Sequence, residues 1–184
     1  MTPAGGAAKR QIVFLRGINL GSRNRIAMAE LREALTDLGY EDVRTHLQSG
    51  NVVLTSAATP AKVQGDIEQE IAERFGLEIG VVVRTRAELA AVVERDPLGD
   101  VATNTSRYLV SFLSAKPSAA AVRELKKADV SPEQFVLSGR ELYAWHPAGV
   151  HRSKLNPLVE RRLGVTATAR NWNTVQRLLE LADE

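Results

Sequence analysis

The sequence predicts an α+β fold, a duplicated βαββαβ arrangement of the ferredoxin-like (alpha-beta plait) kind with antiparallel sheets. Two observations predict it. The order strand, helix, strand, strand, helix, strand reads from Gln11 to Val83 and again from Arg107 to Ala169. The second helix of each pass also carries matching punctuation, Thr59-Pro60 with Phe75-Gly76 in the first and Asn156-Pro157 with Leu163-Gly164 in the second.

In order along the chain, Gln11 to Arg16 is a β-rich apolar run that closes on an arginine, and a Gly/Asn loop from Gly17 to Arg25 follows. Met28, Leu31, Leu35 and Leu38 recur at helical spacing, and Gly39 stands where a left-handed residue ends the helix. Asp42 to His46 and Asn51 to Thr55 form a hairpin around Leu47-Gln-Ser-Gly50. Thr59 caps and Pro60 opens a helix whose apolar face is Val63, Ile67, Ile71 and Phe75; Ile79 to Val83 is the fourth strand. Thr85-Arg-Ala-Glu88 is a capping box for a third helix through Leu89 and Val93.

The second pass opens at Arg107 to Leu113, followed by a Pro117-Ser118 helix start with Val122 and Leu125. Gln134 to Leu137 and Glu141 to Trp145 make a hairpin around Ser138-Gly-Arg140. His146 to Lys154 is a loop before the Asn156-Pro157 helix, Thr166 to Ala169 is the last strand, and Asn171 caps a final helix through Val175, Leu178 and Leu179. The expected organisation is a disordered tail over 1–10, a first subdomain over 11–96, a turn-rich linker over 97–106 and a second subdomain over 107–184. Strands with apolar residues on both faces predict sheets packed against each other or closed into a barrel-like core.

A chain of 184 residues, 44% of them hydrophobic, supplies a core for one large domain or two compact ones. With no cysteine, disulfides, thiolate metal sites and thiol nucleophiles are excluded, as expected of a cytoplasmic protein. The N-terminal residues lack the apolar run of a secretory signal, and no stretch approaches the ~20 apolar residues of a membrane span, so no membrane partner is expected. The formal net charge of +2 favours acidic partners only weakly. His46, His146 and His151 have no metal-ligand spacing, and neither metal nor cofactor is expected.

Four motifs resemble a known family. Leu15-Arg-Gly-Ile-Asn-Leu-Gly21, Leu47-Gln-Ser-Gly-Asn-Val-Val53, Arg152-Ser-Lys-Leu155 and Thr168-Ala-Arg-Asn-Trp-Asn-Thr174 together are similar to the bacterial domain of unknown function 1697 family, in order and across nearly the whole chain. The resemblance implies the same duplicated plait and implies no activity. His46 departs from it, because an aromatic such as tyrosine is expected there.

The residues themselves offer an anion-binding reading. The loop Arg16 to Arg25 combines Gly17, Gly21, Asn19 and Asn24 with Arg16, Arg23 and Arg25, material that cradles phosphate through backbone donors and guanidinium forks, although it matches neither a P-loop nor a dinucleotide fingerprint. Gln48, Ser49 and Asn51 concentrate polar groups at a turn. Ser153 and Lys154 lie on a basic loop, and being adjacent rather than one helical turn apart they do not form a serine–lysine nucleophile. Arg170, Asn171, Trp172 and Asn173 place more polar and aromatic groups at a helix entry than capping requires.

The expectation is therefore a groove, lined by these Arg/Asn-rich loops, that takes a phosphorylated small molecule. Nucleic acid is a less favoured partner, because the first and third strands of the first pass carry only Phe14 as an aromatic for base stacking. Two alternatives stand beside it. One is an acylphosphatase-like hydrolase pairing Arg16 or Arg25 with Asn51. The other is a structural or protein-interaction module in which Arg16, Gln48 and Asn173 are buried and bonded to one another.

Overall fold

The structure, a computed structural model, describes residues 6–184. Of the expected N-terminal tail, residues 1–5 lie outside the described residues, and β1 (Lys9–Leu15) already begins at Lys9. α1 (Met28–Asp37), β2 (Glu41–His46), β3 (Asn51–Ser56), α2 (Pro60–Phe75) and β4 (Val81–Thr85) complete the first pass, and α3 (Arg86–Arg95) follows. The second pass is β5 (Tyr108–Leu113), α4 (Ala119–Lys126), β6 (Gln134–Ser138), β7 (Glu141–Trp145), α5 (Leu155–Arg162) and β8 (Ala167–Asn171), with α6 (Trp172–Asp183) last.

Each pass forms one four-stranded antiparallel sheet, in the orders β2-β3-β1-β4 and β6-β7-β5-β8. That is the ferredoxin-like order, in which the first and third strands of the unit are central and the second and fourth are edges. By contacts, the chain forms two compact units, residues 6–91 with 177–184, and residues 92–176. The chain passes from the first unit to the second within α3 and returns within α6.

Alternation along the strands gives each sheet a helix-covered face. In the first unit Val13, Leu15, Val52, Leu54, Val81 and Val83 pack with Leu31 and Leu35 of α1 and Val63, Ile67 and Ile71 of α2. In the second, Leu113, Leu142 and Ala144 pack with Leu125 of α4 and Leu155 and Val159 of α5. The alternate residues are buried as well: Ile12, Phe14, Val53 and Val82 in one sheet, and Val110, Phe112 and Tyr143 in the other.

Local chemistry sets the boundaries. The Lys62 N–H donates to Thr59 Oγ1 at the start of α2, and Gly76 ends that helix in the left-handed conformation at φ 67°. At α3 the capping box closes both ways, Glu88 N–H to Thr85 Oγ1 at 3.2 Å and Thr85 N–H to Glu88 Oε2 at 2.8 Å. Two fourth strands run further than their apolar runs predict. β4 extends through Arg84 and β8 through Arg170, and both arginines are buried, facing Ile12 and Val110 at equivalent register positions. Each donates from Nη1 to the carbonyl of the residue before it, Val83 and Ala169 respectively.

Candidate functional site

The loop between β1 and α1 is folded onto itself by its two asparagines. Asn19, at φ 53°, donates from Nδ2 to the carbonyls of Ile26 (2.9 Å) and Gln48 (2.7 Å), and its Oδ1 accepts the Ile26 N–H at 2.9 Å. One amide thus closes the loop and ties it to the β2–β3 hairpin. Asn24, at φ 49°, donates from Nδ2 to the Gly17 carbonyl at 3.1 Å, and Arg25 Nη1 reaches the Gly21 carbonyl at 2.8 Å. Asparagine tolerates the left-handed backbone better than other residues with a Cβ, so the same side chain satisfies backbone geometry and hydrogen bonding.

The hairpin is fitted tightly beneath this loop. A Cβ on Gly50, at φ 85°, would lie 2.7 Å from Ile18 Cδ1 and 2.8 Å from Leu15 Cβ. Asn51 is buried, and its Nδ2 donates to the His46 carbonyl (2.8 Å) and Ser49 Oγ (3.0 Å). His46 is half-buried at the hairpin's base; burial first, then the Arg177 guanidinium, pushes its pKa below the usual imidazole value. The first unit therefore brings Arg16, Asn19, Arg25, Gln48, Ser49 and Asn51 to one end of its sheet. Arg16, Arg23, Arg25, Gln48 and Ser49 are exposed there, and the chain carries no carboxylate from Arg16 to Ala29. Among the described residues neither Arg23 nor Arg25 forms an ion pair.

Another basic surface lies elsewhere on the first unit, a cleft of about 440 Å³ lined by Lys9, Arg10, Thr85, Arg86, Ala87 and Ala182. Its arginines already have carboxylate partners, Arg10 with Asp42 and Arg86 with Asp183 at 2.7 Å.

In the second unit, Ser153 and Lys154 do meet an anion, and it is the chain's own. The Glu133 carboxylate, 5% exposed, takes four donors. Oε2 lies 2.6 Å from Ser153 Oγ and 2.6 Å from His146 Nδ1, while Oε1 accepts the N–H groups of Lys154 (2.6 Å) and Leu155 (3.3 Å). Burial pushes the Glu133 pKa up, but the bonds from Ser153, the Lys154 N–H, His146 and the Leu155 N–H outweigh it and hold the group below the usual glutamate range. Glu133 thereby supplies the N-terminal cap of α5, which begins at Leu155 rather than at Asn156-Pro157 because Pro157 fits within a first turn whose N–H groups need no helical partner.

This cluster has the residue types of a serine–histidine–acid triad without its geometry. Serine and histidine share one carboxylate oxygen, so no histidine nitrogen takes the serine proton, and His146 Nε2 is buried with no hydrogen-bond partner among the described residues. Lys154 Nζ reaches away to the Ser131 carbonyl at 3.0 Å. Glu133 was not visible to local reading, because its partners follow it by 13 to 22 positions.

The Arg170 to Asn173 segment divides by role. Arg170 bonds Thr168 Oγ1 and the Ala169 carbonyl, each at 2.9 Å, and burial pushes its pKa down to about 10, which leaves it charged at neutral pH. Asn171 Oδ1 accepts the Thr174 N–H at 3.0 Å and caps α6. Trp172 is buried and stacks on Tyr108, ring centroids 4.7 Å apart and planes 16° off parallel. Asn173 is exposed. Among the described residues no group of three or more His, Asp or Glu is placed to hold a metal ion, and no helix is long and apolar enough to cross a membrane.

The fold defines an α+β protein of two ferredoxin-like sheets. The chain belongs to the family described as Protein of unknown function (DUF1697), whose model matches residues 8–143. The solved structure of the conserved bacterial protein SP0830 from Streptococcus pneumoniae has the same fold, with a TM-score of 0.77 and 22% identity over 96% of this chain and 99% of that one. No curated protein matches the sequence.

Proposed function

We propose that the first unit recognises a phosphate-bearing ligand at the end of its sheet, with Arg16, Arg23 and Arg25 supplying the charge and Gln48 and Ser49 flanking polar groups. The observation that carries this reading is a set of three exposed arginines on a loop stitched by Asn19 to the neighbouring hairpin, with no carboxylate in the same stretch of chain. A guanidinium on a pre-formed loop loses less freedom when it binds an oxyanion than one on a mobile loop. Against an acylphosphatase-like hydrolase stands the Asn51 amide, which is already committed to His46 and Ser49. A cytoplasmic location is part of the proposal and rests on the absence of cysteine. Internal duplication is also part of it, supported by the shared strand order and the matched burial of Arg84 and Arg170.

The test is a thermal-shift series with inorganic phosphate, pyrophosphate and a nucleoside triphosphate at low and moderate salt. A ligand at about a hundredfold its Kd stabilises the native state by about 2.7 kcal/mol, a rise of roughly 5–10 °C for a chain of this size. The expected result is a rise with at least one of the three that the double substitution R23A/R25A removes. A flat series, or a rise the double variant retains, refutes the proposal.

A further inference from the structure

Leu20 and Leu47 are the two most exposed large apolar side chains among the described residues, at 66% and 55%, and they flank this same arginine loop. We propose that the phosphates it recognises are the headgroups of an anionic lipid surface, on which the β1–α1 loop and the β2–β3 hairpin dock with these two leucines foremost. The inference rests on the anion-binding reading above and names the source of the anion.

One hydrogen bond joins the segments that carry the two leucines. Asn19, next to Leu20, donates to the carbonyl of Gln48, next to Leu47. Standard backbone and hydrogen-bond lengths then keep their Cα atoms within about 17 Å. Folding does not account for either residue. Leu47 occupies a left-handed position, φ 62°, where asparagine or glycine costs less, and its side chain still points into water. Leu20 opens a tight turn in which the Arg23 N–H bonds the Leu20 carbonyl at 3.1 Å, a task that uses none of its side chain. Two exposed leucines, one on the loop that carries Arg16, Arg23 and Arg25 and one on the hairpin bonded to it, with no carboxylate from Arg16 to Ala29, match the layers of an anionic leaflet, phosphate outside and acyl chain beneath. Single-stranded nucleic acid offers the same phosphates but is held by aromatic stacking, and the exposed apolar groups here are aliphatic.

The test is co-sedimentation of the full chain with vesicles of phosphatidylcholine alone and of phosphatidylcholine mixed with phosphatidylglycerol, beside the thermal-shift response to pyrophosphate and binding to a fluorescent single-stranded oligonucleotide. The expected result is sedimentation with the mixed vesicles only. R23A/R25A weakens it about fivefold per arginine, about 25-fold in all, and L20S/L47N weakens it roughly tenfold while the melting temperature of the unliganded protein does not fall. A pyrophosphate response without vesicle binding overturns the lipid inference and leaves the anion reading standing; absence of vesicle binding together with a flat phosphate, pyrophosphate and nucleoside triphosphate series overturns both. Vesicle binding indifferent to L20S/L47N reduces the contact to adhesion of a basic protein and overturns the docking geometry. Oligonucleotide binding without vesicle binding, lost in both double variants, replaces lipid with nucleic acid.

Discussion

Replacing Glu133 separates the charge of the buried carboxylate from its shape. In Glu133→Gln the amide keeps one oxygen for the fixed N–H groups of Lys154 and Leu155 and turns its NH2 toward Ser153 and His146. Ser153 rotates to accept, but His146 must move its proton to Nε2, which has no partner to receive it. Charge-assisted bonds weaken to neutral ones and one buried donor is orphaned, together about 2–3 kcal/mol. Glu133→Ala abandons all four donors at once and costs about 3–5 kcal/mol. Urea unfolding followed by circular dichroism measures both.

The pH dependence is a second reading of the same site. The folded pKa of Glu133 lies below its unfolded value, so the unfolded state binds more protons as acid is added. The Glu133 contribution is complete above about pH 5 and is lost as pH falls from there through the folded value. The gap between wild type and Glu133→Gln should therefore narrow on acidification. A Glu133→Gln variant within about 0.5 kcal/mol of wild type at neutral pH, or a gap that stays constant as pH falls, refutes the reasoning.

Gly50→Ala drives a Cβ into Ile18 and Leu15 at a left-handed backbone position and should cost about 2–4 kcal/mol, seen as a fall in Tm; an unchanged Tm contradicts the tight seat of the hairpin. Trp172→Ala removes a buried ring stacked on Tyr108 and should cost about 3–5 kcal/mol in denaturant unfolding, with Trp172→Phe recovering more than half of it. An alanine variant as stable as wild type contradicts the packing role of the Trp172 ring.

Signals contained in a few neighbouring residues were legible in the sequence. Thr59 with Pro60, Thr85 with Glu88 and Asn171 announce helix starts because each cap and its recipient N–H lie within one turn. The ends of β4 and β8 differ from the sequence expectation in the same way, at Arg84 and Arg170. An arginine after an apolar run reads as the point where a strand leaves the core, yet in both units the guanidinium is buried and the ladder continues past it. The polar clusters were legible as places but not as partnerships. The Ser153-Lys154 loop reads as a polar, basic stretch, but that Glu133 lies against it follows from the β6–β7 pairing, Gln134 opposite Trp145, and the loop after it, which no local window contains. The exposure of Leu20 and Leu47 was not legible, because the sequence does not say which apolar residues the core leaves outside.

The path of the chain through α3 and α6 bears on how the protein is made. The first unit is assembled from two distant stretches, and its late stretch is bonded in, Asp183 to Arg86 and Glu184 to Arg44 at 2.8 Å. A ribosome that has delivered residues 6–91 has not yet synthesised Arg177 to Glu184. By then the nascent chain holds all four strands of the first sheet and the Asp42 partner of Arg44, but Glu184 for Arg44 and Asp183 for Arg86 arrive only after residues 92–176 have emerged. The unit begun first is therefore completed last, and a stop codon within α6 would injure it.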